Sequence, residues 1–231
     1  MNERLKTIGT IVGAGLLGGA AALIFDVGAL IAALGFLPGM GLLLLLLALS
    51  FFLQIVLHEG GHLATGLLSG YSFSSFRVLS FQLIRRQGRF ALKRFHIVGT
   101  GGQCLLAPPR PYRPDYPYRF YNLGGGLANL LAAGLAMAAV LSGAPIAPWA
   151  GLFLFAFALA GLLSGFANLV PRRIHGLGND GWNLLHLGRN PEQALLLWRM
   201  LEINDRLTQG ERLREMPGEW FAWEPAADTE D

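Results

Sequence analysis

The 231-residue chain is 53% hydrophobic and only 14% charged, against about 25% charged in an ordinary globular domain, a deficit that points to a membrane protein. Its formal net charge of +3 is too small to argue for nucleic acid, and no nucleic-acid partner is expected. The single cysteine, Cys104, rules out an intrachain disulfide and with it a disulfide-built secreted scaffold.

Arg4 and Lys6 precede an apolar stretch over 8–25. It is longer than the roughly 7–15 residues of a signal-peptide core, so it is read as a retained transmembrane helix. Asp26 follows, then 27–37, which is too short to cross alone. That piece is expected to extend the first span or to lie re-entrant or at the interface, as far as the break at Pro38-Gly39. A second span covers 41–68, a third 120–141 and a fourth 149–169, with Pro145 and Pro148 in the last connection.

Between the second and third spans the texture changes. Phe, Val, Leu and Ile alternate with Ser, Arg, Gln and Lys around Gln87-Gly88, which predicts two to four short strands in a β-rich insertion over 71–104. Five prolines (Pro108, Pro109, Pro111, Pro114, Pro117) make 105–117 an extended linker. Beyond the last span, Asn190-Pro191 reads as a cap and first helical residue, opening a helix to about Leu207 that ends near Gly210. Residues 183–231 are expected to hold an amphipathic cytoplasmic helix lying on the membrane, to which His186 and Trp198 belong, and an acidic tail. Residues 1–182 form the core. The fold class is an α-helical polytopic membrane protein of about four transmembrane helices, with a small β-sheet or hairpin between the second and third.

Charge tests this arrangement. Lys and Arg fall before the first span, between Arg77 and Arg119, and from Arg172 onward, and none lies in the 26–40 or 142–148 connections. With four spans every cation is on one side, which by the positive-inside rule is the cytoplasm, and both termini are cytoplasmic. The chain is assigned to a cell membrane, a bacterial plasma membrane by its compact plan, with the lipid bilayer as a partner.

The second span carries His58-Glu59-Gly60-Gly61-His62. An ionisable group at the centre of a bilayer costs at least about 2.5–3.5 kcal/mol and by default marks function. On a helix, residues i and i+4 share a face, so both imidazoles can meet one ion. Glu59, about 100° round from His58, reaches a metal-bound water rather than the metal, as a general base. Zn2+ suits two neutral imidazoles, one oxygen ligand and an open position. Gly60 and Gly61 each cost about 1 kcal/mol against Ala in a helix, which implies that something approaches that backbone closely. For the third ligand the downstream acids are Asp115, Asp180 and Glu192, and the histidines are His96, His175 and His186. Asn129 and Asn168 are polar residues in apolar helices. They are candidates for holding the substrate backbone or an oxyanion, the alternative being hydrogen bonds between helices.

HEGGH on a transmembrane helix, Asn168 and Pro171 in an N-x-x-P pattern, and Asp180-Gly181 beyond them resemble the site-2 protease family of intramembrane zinc metalloproteases. The run Gly124-Gly125-Gly126-Leu127-Ala128-Asn129 resembles that family's GPxxN-like segment, with Gly126 where a proline is common. The resemblance covers roughly residues 40–185 and leaves no room for an inserted PDZ domain. It implies His58, His62 and Asp180 as zinc ligands, Glu59 as catalytic base, and a partly unwound transmembrane segment of another protein or a signal-peptide remnant as substrate. The 71–100 region would be the small sheet that family members place between their helices, where strand-like pairing could hold an extended substrate. The spacing from Pro171 to Asp180 is longer than in the family's compact form and leaves His175 as the alternative ligand. Other readings are a metal-binding transporter or sensor and an inactive scaffold. A transporter would spread polar groups over several spans, and transport needs no base beside the first histidine. Cys104, after a glycine-rich run, is read as a buried thiol, the alternative being a thiolate that gates the metal. The sequence names neither the substrate nor a regulatory membrane partner.

Overall fold

The structure is a computed structural model and describes residues 3–97, 100–174 and 177–221. In chain order the elements are α1 (Glu3–Ile24), α2 (Val27–Leu34), α3 (Phe36–Leu68), β1 (Ser72–Val78), β2 (Phe81–Arg86), β3 (Arg89–Arg94), β4 (Gly102–Ala107), α4 (Tyr118–Leu141), α5 (Pro148–Leu169), β5 (Arg173–Ile174), β6 (Leu177–Gly178), α6 (Asp180–His186) and α7 (Pro191–Gln209). They gather into two units, Met1–Ser69 with Pro117–His186, and Gly70–Tyr116 with Leu187–Asp231. The sequence reading joined the insertion and linker to the helical core and set 183–231 apart. The structure instead groups the sheet with the C-terminal helix that packs on it.

Among the described residues, α3, α4 and α5 are the three helices long and apolar enough to cross a membrane. They match the second, third and fourth expected spans to within a few residues, and α1 is helical where the first was placed. The start of the second span differs. Pro38 lies inside the first turn of α3, where its missing N–H has no intrahelical partner to lose. The break falls earlier, at Gly35, with φ of 82°. Residues 27–34 are a separate short helix rather than an extension of α1. Asp26, at φ 44°, caps it by accepting from Ala29 N at 3.4 Å.

The core of this unit holds Phe25, Leu43, Ala133, Ala136, Leu152, Phe155, Ala156 and Ala158. Phe25 meets Phe155 edge-on, with ring centroids 5.8 Å apart. In lipid, helices associate through close packing and hydrogen bonds, and small residues permit the approach. Gly61 provides it here. A Cβ at Gly61 would overlap the Gly124 carbonyl of α4 and lie 2.8 Å from Ala128 Cβ. Gly60 faces open space, so only one of the two glycines is explained by a packed neighbour.

In the second unit, four antiparallel strands lie in the order β3-β2-β1-β4, with a bulge between Phe73 and Ser75. Leu105 to Ala107 complete β4 instead of starting the linker, and the prolines that follow are pinned to α7. Trp198 Nε1 donates to Pro109 O at 3.0 Å, and Tyr116 OH donates to Ala194 O at 3.0 Å. Trp198 is buried between Tyr112 and Trp220, so it does not face a bilayer as expected. His186 lies outside α7, on α6, stacked on Trp182 at 5.0 Å. The caps of α7 are as read from sequence: Asn190 Oδ1 accepts from Gln193 N at 3.2 Å, and Gly210 takes φ 97°. Glu202 is fully buried and tolerated because Arg110, at 2.7 Å, and Arg206, at 2.9 Å, pair with its two oxygens. Cys104 is buried in β4. Of the acidic tail, residues 222–231 lie outside the described residues.

Candidate metal centre

Gln54, His58 and His62 recur every fourth residue on α3 and so form one polar stripe on an apolar helix. Each is held by a neighbouring helix. His62 Nδ1–H donates to the carbonyl of Tyr121 on α4 at 2.7 Å, and His58 Nδ1–H donates to Asn129 Oδ1, also on α4, at 2.8 Å. Asn129 Nδ2 donates to Gln54 O at 2.8 Å and Gln54 Oε1 at 2.7 Å, and Gln54 Nε2 donates to Phe157 O on α5 at 3.1 Å.

The directions of these bonds are not free. Backbone carbonyls only accept, so Gln54 O and Phe157 O set the orientation of both amides, and Asn129 must offer its oxygen to His58. In the neutral form each imidazole then carries its proton on Nδ1 and turns its Nε2 lone pair toward the other. Those two Nε2 atoms are 3.1 Å apart. Asp180 Oδ2 lies 3.2 Å from the first and 3.3 Å from the second. Three lone-pair atoms this close repel one another. A shared proton bridges only two of them, whereas a cation serves all three. His58, His62 and Asp180 can therefore hold a metal ion, and among the described residues they form the one such group. The edges of the observed triangle, 3.1, 3.2 and 3.3 Å, are slightly shorter than the about 3.3–3.4 Å between ligands of a tetrahedral ion with bonds of about 2.0–2.1 Å.

Asp180 is delivered by a small scaffold after α5. Asn179 Oδ1 accepts from Arg172 N at 2.9 Å and from Trp182 N at 3.0 Å, while its Nδ2 donates to Val170 O at 2.7 Å. This clamps the β5–β6 hairpin to the end of α5 and starts α6 at Asp180. A Cβ at Gly181 would overlap the Leu169 carbonyl, so glycine lets α6 abut α5. Asn183 Nδ2 donates to Asn122 Oδ1 on α4 at 3.1 Å.

Glu59 is buried on α3 and is not among the three residues of the candidate metal group. Of the two readings given for the asparagines, the structure favours the bond between helices for Asn129. Asn129 is fully buried and its amide is committed to His58 and Gln54, so it orients a ligand instead of touching substrate or an oxyanion. Asn168 Nδ2 donates to Ser164 O, 2.9 Å away on its own helix, and that bond does not join it to the ligands. His96 pairs with Ser80 at 3.3 Å on the exposed sheet, and Asp115 and Glu192 belong to the second unit. His175 lies outside the described residues. Sequence reasoning missed Gln54, although its i−4 spacing from His58 was a signal, and it missed Asn179; it singled out the run holding Gly125 without giving that glycine a role.

The chain matches no protein-family model, no curated protein and no solved structure.

Ligand-orienting partners typically contribute 10–100-fold in metal affinity. Asn129→Ala and Gln54→Leu are each expected to weaken Zn2+ or Co2+ binding by about that factor, read by competition with a chromophoric chelator in detergent. Unchanged affinity in both would show that His58 keeps its orientation without them.

Proposed function

We propose that the chain is an intramembrane zinc metalloendopeptidase, like the site-2 proteases it resembles but without a PDZ domain. It would hydrolyse peptide bonds in or near transmembrane segments of membrane proteins or signal-peptide remnants. The observation that carries this reading is the convergence of Asp180 with two histidines of a helix apolar enough to span a bilayer, Glu59 following the first of them in the same helix. In this reading α1 is a fourth span, both termini are cytoplasmic, and the membrane is a bacterial plasma membrane.

His58, His62 and Asp180 would hold Zn2+, which when bound supplies a Lewis acid and an acidified water. Asn129 and the Tyr121 carbonyl keep both imidazoles in the ligating tautomer throughout. Glu59 accepts the proton of the attacking water and returns it to the leaving amide nitrogen. Its burial keeps the carboxylate away from bulk solvent, so that proton is passed locally. A substrate helix hides its peptide bonds in its own hydrogen bonds, so the scissile segment must be unwound before it reaches this group.

The test is zinc content of protein purified in detergent. About one zinc per chain is expected from the one three-ligand group among the described residues, with loss in His58→Ala and Asp180→Ala. Cleavage of a model transmembrane substrate is measured alongside. Full zinc in Asp180→Ala would move the third ligand elsewhere. No zinc in the parent protein after reconstitution would overturn the reading. Zinc without cleavage of any membrane substrate would favour a metal sensor or transporter.

A further inference from the structure

The β2–β3 hairpin exposes an apolar face. Phe81, Leu83, Phe90 and Leu92 are 55%, 37%, 64% and 68% exposed. Their register sets Leu83 opposite Leu92, Phe81 opposite Arg94, and Phe90 opposite Arg85. Cross-strand partners and alternate residues share a face of a sheet. The six side chains therefore form one patch, with two leucines at its centre and a phenylalanine paired with an arginine at each end. Arg94 Cζ lies 5.9 Å from the Phe81 ring centroid. On the other face of β2, Ile84 is buried. Arg86, Arg89 and Lys93 are exposed cations on that other face, and no acidic residue occurs between Glu59 and Asp115.

An exposed apolar sheet face beside an edge strand is a liability unless something covers it. We infer that this hairpin face docks on the anionic surface of the bilayer, with Phe81, Leu83, Phe90 and Leu92 at the headgroup–acyl boundary and Arg85 and Arg94 on lipid phosphates. The charge is complementary: Arg85 and Arg94 share the apolar face, and with no acid in the segment they meet a negatively charged leaflet. Aromatic side chains at this level are the usual interfacial anchors. Nucleic acid would pair the arginines but leave the leucines against phosphate. Only residues 69–71 separate α3 from β1, so the tether gives the hairpin a high effective concentration at a surface that α3 crosses. The inference rests on the membrane reading above and is independent of the peptidase chemistry.

The experiment uses the full chain with Cys104→Ala and Phe90→Cys carrying a bimane label. It is reconstituted into phosphatidylcholine vesicles with or without one third phosphatidylglycerol. Flotation reports incorporation, doxyl-lipid quenching reports contact with lipid, and aqueous iodide reports exposure. Doxyl quenching is expected to rise about twofold or more with the anionic lipid, and to fall with added salt and in Arg85→Gln/Arg94→Gln. An incorporated protein quenched equally by iodide in both lipids overturns the inference. So does lipid quenching indifferent to phosphatidylglycerol and to the two arginines. Shielding that appears only when an oligonucleotide or an acidic peptide is added assigns the face to a polyanion and also overturns it. Failure to float with vesicles at all would overturn the membrane reading itself, and the docking with it.

Discussion

For the zinc peptidase proposed above, Glu59→Gln is expected to retain zinc and lose peptide-bond cleavage by about 10²–10⁴-fold, the usual contribution of a positioned general base. The two halves of this result have separate causes. Zinc is retained because Glu59 is not one of the three ligand atoms and the amide has the carboxylate's shape. Activity is lost because the amide cannot take the proton of the attacking water. Metal content by mass spectrometry and cleavage of a reconstituted transmembrane substrate read the two halves separately. A variant that loses zinc as completely as His58→Ala would make Glu59 a ligand. Cleavage at the parent rate would remove Glu59 from the chemistry.

Gly125→Ala is expected to lower metal affinity by about 100-fold or more. A Cβ there would lie 2.5 Å from His62 Nε2 and 2.7 Å from His58 Nε2, inside contact distance of the two donor atoms. Neither ring can swing away, because the Nδ1 of each is tied to α4. Either α4 must back off or the ligand pair must open. Gly134 on the same helix is the control, since a Cβ there meets nothing within 4 Å. Gly134→Ala should bind metal normally and be neutral or slightly more stable, alanine being favoured over glycine in helices by about 1 kcal/mol. The readout is Co2+ titration followed by its visible absorption, with helicity by circular dichroism to show that both variants fold. Equal affinities would mean that α4 sits further from the histidines than the structure places it.

What the sequence revealed was local. The pairing of His58 with His62 follows from helical periodicity alone. Asn190, Pro191 and Gly210 announced the ends of α7 because caps depend on residues within one turn. The three apolar helices were plain from length and composition. What stayed hidden depended on distant partners. Asn129 was visible as a costly polar group, but its role is set by His58 and Gln54, more than seventy positions away. Trp198 suited a membrane-surface helix until Pro109 and Tyr112 folded over it. Pro38 read as a break because sequence does not show whether a proline falls in the first turn or beyond it.

The polar stripe of α3 has a consequence for assembly. A helix that is leucine on every side has no preferred rotation in lipid, since acyl chains and neighbouring side chains are equally apolar. Gln54, His58 and His62 remove that degeneracy: each accepts only one azimuth of α3, the one that brings it to Asn129, Phe157 O or Tyr121 O. The residues that create the site are thus also the key by which the helices recognise one another. A chain that loses them would be left with interchangeable cylinders, so inactive variants at these positions need a check of helix pairing before their loss is assigned to chemistry.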